Sequence, residues 1–243
     1  MTKFAFEVPL EHLWDFDPIQ DFTFGLSFLL EEPTYEEYFG GKCEAGELVY
    51  LDNGWNETLI AATPNEMARL WYKYQPTAVA SPDSDQWKSI EIFDAFIELT
   101  RLIPAKSILS IFRNLEEQAV FLGRQGPTAT SYWWVDSIDT TKLGKVHCLG
   151  LFDLDLVRRY QPPTLDTSQP IKMALRGERF EDWDGKRRQH PTRKVDSTVG
   201  TRLSRAWDYF NLHLTDTQLE LAIHNCEALK AAVNADRQVP SNY

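Results

Sequence analysis

VHCLGLFDLDLVRRYQPPTLDTSQP, residues 146–170, reads as a strand, a short helix and a second strand in direct succession. Val146–Gly150 is apolar and stops at a glycine. Asp153–Tyr160 has the pattern of one or two amphipathic helical turns, and Thr164–Pro170 is a strand that delivers an acid, Asp166. Strands that are nearly continuous in apolar residues and alternate with helices pair in parallel and bury both faces.

The same rhythm extends upstream. Phe22–Leu30, Leu48–Gly54, Ala78–Asp83, Ile108–Arg113, Ser131–Val135 and Lys145–Leu151 read as strands. Between them Pro64–Tyr74 reads as a helix with proline at its first position and Thr63 as its cap. Gln86–Leu102 has apolar residues at helical spacing, and Leu115–Gly123 is a helix with a glycine stop. Seven candidate strands in this order predict an α/β fold, a (β/α)8 TIM barrel of complete or irregular form followed by C-terminal helices. A doubly wound open sheet is the alternative, but no Gly-rich phosphate fingerprint follows an early strand. The first twenty residues are expected to cap the bottom or side of the barrel, and the polar residues after Ala235 to fray.

A chain of 243 residues, 43% of them hydrophobic, suits a single barrel domain spanning 1–243. No apolar run approaches the length of a bilayer crossing, and the start, MTKFAFEVPL, has no apolar signal segment, so a cytoplasmic protein without membrane contact is expected. Cys43, Cys148 and Cys226 are scattered and odd in number, which suits reduced, packed thiols. The net charge of −11 opposes unspecific nucleic-acid binding, yet it is uneven. Between Arg176 and Arg205 nine Lys or Arg face five acids, so this segment carries +4 and the remainder −15. A basic loop inserted at about 176–200 therefore follows the strand that carries Asp166.

In a TIM barrel the C-terminal strand ends converge on one mouth, where the chemistry sits. Here those ends are Asp52, Asn53 and Gly54; Pro82 and Asp83; Arg113 and Asn114; Trp133 and Trp134; Leu149 and Gly150; and Asp166. Three carboxylates and one arginine meet there, at the same end of strands that are otherwise apolar. Asp166 is the candidate nucleophile. Trp133, Trp134, Phe112 and Trp55 are the aromatic residues that could stack on a ligand at this mouth.

In order and spacing these residues resemble the tRNA-guanine transglycosylases. Those TIM-barrel enzymes exchange a guanine in a polynucleotide for a 7-deazaguanine through a glycosyl-aspartate intermediate. LDNG at Leu51–Gly54 resembles the family's Asp-Ser-Gly-Gly strand end, and SPD at Ser81–Asp83 the strand end whose Asp reads the base. IFRN at Ile111–Asn114 stands where the family has Val-Gln-Gly, and SYWWVD at Ser131–Asp136 where it has a Gly-rich strand lining the base pocket. CLGLFDLDLVRRYQPPTLDTSQP matches the family's Leu-Met-Gly, helix and nucleophile strand, with Asp166 in the nucleophile's place. TRLSRAWDYF at Thr201–Phe210 and the Ile-His-Asn step at Ile223–Asn225 resemble its C-terminal helices.

The resemblance implies Asp166 and Asp52 as catalytic residues, and Asp83, Arg113, Asn114, Trp133 and Gly150 around the base. Lys186, Arg187, Arg188, Arg193 and Lys194 would grip the backbone on either side of an extruded nucleotide. The implied partners are a free 7-deazaguanine and DNA or tRNA. DNA is favoured, because the chain shares the economy of the family's shortened relatives in bacteriophages and DNA-modification systems. The family's structural zinc needs a cysteine cluster that is absent around Asp182–Gly200, so His224 alone cannot hold it and no metal or cofactor is expected; a buried or capping role is expected for His224. Arg113, or Asn114 with a one-residue shift, replaces the family's base-reading Gln, and Trp55 its second Gly. The same mouth would also suit an enzyme acting on free nucleosides, or a barrel that binds a modified base without chemistry.

Overall fold

The structure is a computed structural model, and it describes residues 1–60, 62–150, 153–184 and 199–235. Eight strands form one parallel sheet: β1 Lys3–Phe6, β2 Thr23–Leu26, β3 Val49–Asp52, β4 Ala78–Ala80, β5 Ile108–Ile111, β6 Thr128–Ser131, β7 His147–Leu149 and β8 Thr164–Thr167. Their order, β1-β8-β7-β6-β5-β4-β3-β2, runs round a nearly closed barrel. The α-helices are α1 Leu13–Phe16, α2 Pro33–Glu44, α3 Trp55–Thr58, α4 Pro64–Tyr74, α5 Ser89–Leu102, α6 Leu115–Phe121, α7 Leu154–Tyr160, α8 Gln169–Ala174, α9 Val199–Phe210 and α10 Asp216–Asn234. This is a (β/α)8 TIM-barrel fold with C-terminal helices.

Alternation along each strand divides the core in two. Ala5, Tyr50, Ala78, Ala80, Leu109, Ile111 and Ala129 join Phe22 in one apolar cluster. Their strand neighbours Phe4, Phe6, Val49, Leu51, Val79, Ile108 and Leu165 pack with helix residues such as Phe39, Met67, Phe96 and Phe121. His147 packs beside the first cluster: its ring stacks on Phe24 at 5.0 Å and meets Phe22 and Tyr50 edge-on. Burial pushes its pKa down to about 3, so the imidazole is neutral.

Local chemistry places the helices. Thr63 accepts from the Glu66 N–H at 3.2 Å while Glu66 accepts from the Thr63 N–H at 2.6 Å, which closes a capping box ahead of Pro64. At α10, Asn225 accepts from the Phe180 N–H at 2.8 Å and donates to the Pro170 and Glu178 carbonyls, tying that helix to the chain after β8. His224 is half-buried, and its Nε2 pairs with Glu181 Oε1 at 2.8 Å. It is thus neither buried nor a cap, because its position on α10 faces the Phe180–Asp182 turn rather than the core.

Two expectations are corrected. The first twenty residues do not merely cap the barrel: Lys3–Phe6 pairs in parallel with β8, matching Ala5 to Asp166. A four-residue strand offers too short a period to stand out from the apolar residues that follow it. The sixth strand is Thr128–Ser131 rather than Ser131–Val135. Small and β-branched residues fill the ladder there, and Tyr132–Ser137 turns into a 3-10 helix that carries both tryptophans beyond the strand.

At the seam between β1 and β2, side chains stand in for a ladder. The Asp21 N–H donates to the Phe4 carbonyl at 2.8 Å, and the Phe4 N–H donates to Asp21 Oδ2 at 2.9 Å. The Phe6 N–H donates to Gln20 Oε1 at 3.1 Å, while Lys230 of α10 holds Asp21 Oδ1 at 2.9 Å. Asp21→Ala leaves the Phe4 N–H without its acceptor and should destabilise the protein by about 1–3 kcal/mol in a urea titration, whereas Asp21→Asn recovers most of the loss. An unchanged unfolding midpoint in Asp21→Ala would show that the seam does not depend on this side chain.

Candidate active site

The strand ends open into a cavity of about 480 Å³ lined by Asp52, Asp83, Gly150, Asp166 and Trp133, all expected from the sequence. Glu7, Glu57, Ser168 and Lys172 also line it and were not anticipated. Asp166, on β8, is buried among donors. It accepts from the Gly150 N–H at 3.3 Å and from the carboxyl of Glu7, and His147 Nε2 approaches its Oδ1 to 3.2 Å without the alignment of a hydrogen bond. Burial raises Asp166 to about 7, an effect that the hydrogen bonds from Glu7 and Gly150 restrain.

Asp52 closes β3, and its Oδ2 accepts from the Gly54 N–H at 2.9 Å. That tight turn needs Gly54 at φ +72°, a backbone conformation natural to glycine. Asn53 joins two strand ends by donating to the Ser81 carbonyl at 2.8 Å and to Asp83 Oδ1 at 2.6 Å. Burial raises Asp52 well above the usual carboxylate range, and the charges of Glu57, Asp83 and Asp166 add to it. Burial also raises Asp83, to about 6, against the pull of Asn53 and Arg113. In the one-turn helix α3, Glu57 rises to about 7, chiefly through burial; its Oε2 is buried with no hydrogen-bond partner among the described residues.

Two expected base-binding residues lie elsewhere. Arg113 turns into a buried ion pair with Glu117, Nη2 to Oε1 at 2.6 Å, and its Nη1 donates to the Ser84 carbonyl. Asn114 accepts from the Glu117 N–H at 3.0 Å and so caps α6. Both line a second, more open depression that shares Asp85 and Trp134 with the carboxylate cavity. The basic residues Lys186, Arg187, Arg188, Arg193 and Lys194 lie outside the described residues.

Among the described residues, the one group of side chains close enough to share a metal ion is Glu11, His12 and His213, and none of these lines the cavity. His12 is already committed: its Nε2 accepts from the Leu214 N–H at 3.2 Å, which leaves Nδ1 to donate to Asp15 at 2.9 Å. The three cysteines are free thiols, with Cys148 and Cys226 buried.

Glu7 was legible in principle, because FAFE repeats the pattern of an apolar run ending in an acid seen in VYLD. Glu57 and Lys172 sit on short helices behind strand ends, where no spacing rule marks them. No protein-family model matches the chain, and no curated protein matches it.

The raised carboxyls make stability depend on pH in a defined direction. As pH rises from 4.5, the unfolded chain releases the Glu57 proton while the fold retains it up to about 7, so stability falls across that window and stays lower above it. Glu57→Gln should therefore be more stable than the parent protein near about pH 8 by roughly 1–2 kcal/mol, and equal to it near about pH 4. Urea titrations at both values check this. A variant that is less stable near pH 8 would contradict the burial of this charge.

Proposed function

We propose that the barrel is a base-exchange transglycosylase that replaces guanine in a polynucleotide, DNA in preference to tRNA, with a 7-deazaguanine by way of a glycosyl-aspartate intermediate. The observation that carries this reading is the meeting of Asp166, Asp52 and Asp83 around one cavity at the C-terminal mouth. The cavity has the size range and mixed lining of small-molecule sites.

In this reading one carboxylate oxygen of Asp166 forms a bond to C1′, and the C1′–N bond breaks with its electron pair passing to the base. Asp52 is suited to supply the proton that the departing base takes, because burial raises its carboxyl well above the usual carboxylate range. In the second half the incoming base gives its N–H proton to Asp52 and bonds to C1′, and the Asp166–C1′ bond breaks with its electrons returning to the carboxylate. Protons and charge balance over the cycle. Asp83, held by Asn53, presents an acceptor to the ring N–H of a purine. Trp133, 40% exposed on the rim, offers a face for stacking. The turn after β5 gives no base contact here, since Arg113 is taken by Glu117.

The attacking group must be ionised, so exchange should rise with pH through the ionisation of the Asp166 cluster near about 7. The test is incubation with labelled guanine and, separately, single-stranded DNA, duplex DNA, tRNA and free guanosine. Incorporation into a polynucleotide is expected. Asp166→Asn should lower it by more than ~1000-fold and Asp52→Asn by about 100-fold, with both variants folded by circular dichroism. Exchange confined to free guanosine would favour the nucleoside reading, and undiminished exchange in Asp166→Asn would refute the mechanism.

A further inference from the structure

Glu7 sits one residue beyond β1, and its N–H continues the β1–β8 ladder by donating to the Thr167 carbonyl at 3.1 Å. Two residues after Ala5, it projects to the same face of the sheet as that inward-packed alanine, which is paired with Asp166. Its backbone carbonyl accepts from the Tyr209 hydroxyl at 2.6 Å, which anchors this end of the strand under α9. The side chain then meets two groups from β8 and the turn after it: Asp166 and Ser168.

Lys172 Nζ donates to Ser168 Oγ at 2.7 Å, and both residues share the cavity wall with Glu7. Glu7 and Asp166 are hydrogen-bonded to each other, so one of the two carboxyls carries the proton between them. Asp166 already accepts from the Gly150 N–H, which suits it as the ionised member. A protonated carboxyl at position 7 then donates to Asp166.

We infer that Glu7 is a positioning residue that works in its protonated form: from the end of β1 it donates to Asp166 on the paired strand and holds that carboxylate ionised and aimed at the cavity. The inference rests on the reading of Asp166 as nucleophile. Glu7 keeps its proton throughout the cycle, so this role is separate from the proton transfer assigned to Asp52. The other titratable groups facing Glu7 agree with a neutral acid there. Glu57 of α3 and Asp166 of β8 disfavour a charge on it, Tyr35 and Tyr209 are neutral phenols, and Lys172 is the single opposing charge among the described residues around it. His147, beneath Asp166, is neutral. Burial and the neighbouring Asp166 accordingly hold the Glu7 carboxyl up, to about 7.

Glutamine reproduces the donor of a protonated glutamate, since its amide donates to Asp166. Leucine does not. The experiment follows the Asp166 carboxyl by ¹³C NMR of the substrate-free protein across pH in the parent, Glu7→Gln and Glu7→Leu, and measures exchange across the same range. Glu7→Leu should shift the Asp166 midpoint and the acid limb of exchange upward together by about one pH unit, a loss of roughly tenfold on that limb. Glu7→Gln should return both to within about threefold of the parent. A merely structural role would lower the rate of both variants and leave the limb where it was. Equal impairment of the two variants with an unmoved Asp166 midpoint would overturn the inference. If the parent protein shows no exchange, the functional reading falls, while the order of the NMR midpoints still decides whether Glu7 donates to Asp166.

Discussion

Parallel pairing of Lys3–Phe6 with Thr164–Thr167 holds the rest of the molecule in place. It brings the first strand against the last, so residues near the N-terminus and residues after the seventh strand share one end of the barrel. Without it Glu7 would not meet Asp166, and the cavity would lose one wall. The pairing is supported on its other flank by Asp21 and Gln20, whose side chains replace the missing ladder to β2. Short strands of four residues or fewer have little independent stability, so closure of the ring and the cover of α8 and α10 carry much of the burden.

The second constraint is electrostatic. Among the carboxyls that line one cavity, burial raises Glu7, Asp52, Glu57, Asp83 and Asp166. Such a cluster opposes folding at neutral pH, and local donors offset it: Asn53 for Asp83, Gly54 for Asp52, Gly150 and Glu7 for Asp166. The same burial that destabilises the charges lifts Glu7, Glu57 and Asp166 to about 7 and Asp83 to about 6, so these groups exchange protons near neutral pH.

Much of this was legible in the amino-acid sequence because the barrel rhythm is periodic. Asp52, Asp83 and Asp166 each stand at or near the end of a candidate strand, and the structure brings all three to one cavity. Thr63 and Pro64 announced α4 with its boundaries. What escaped had physical reasons. Lys3–Phe6 is too short to show a period and acquires its meaning only from β8. The aromatic run Tyr132–Trp134 looks more strand-like than Thr128–Ser131, yet the narrow ladder takes the smaller residues and leaves the tryptophans at the rim. Arg113 stood at a strand end with a plausible role, but Glu117 four residues on captures it, a competition that only the fold reveals.

The central claim is that Asp166 becomes covalently attached to a sugar during turnover. Its most direct test is to quench the protein in acid while it reacts with a guanine-containing polynucleotide, digest both components, and weigh the peptide that contains Thr164–Thr167. The account predicts an added pentose phosphate fragment on Asp166, absent when the free base is present in large excess after the quench is delayed. An unmodified Asp166 peptide under conditions of active exchange would contradict it.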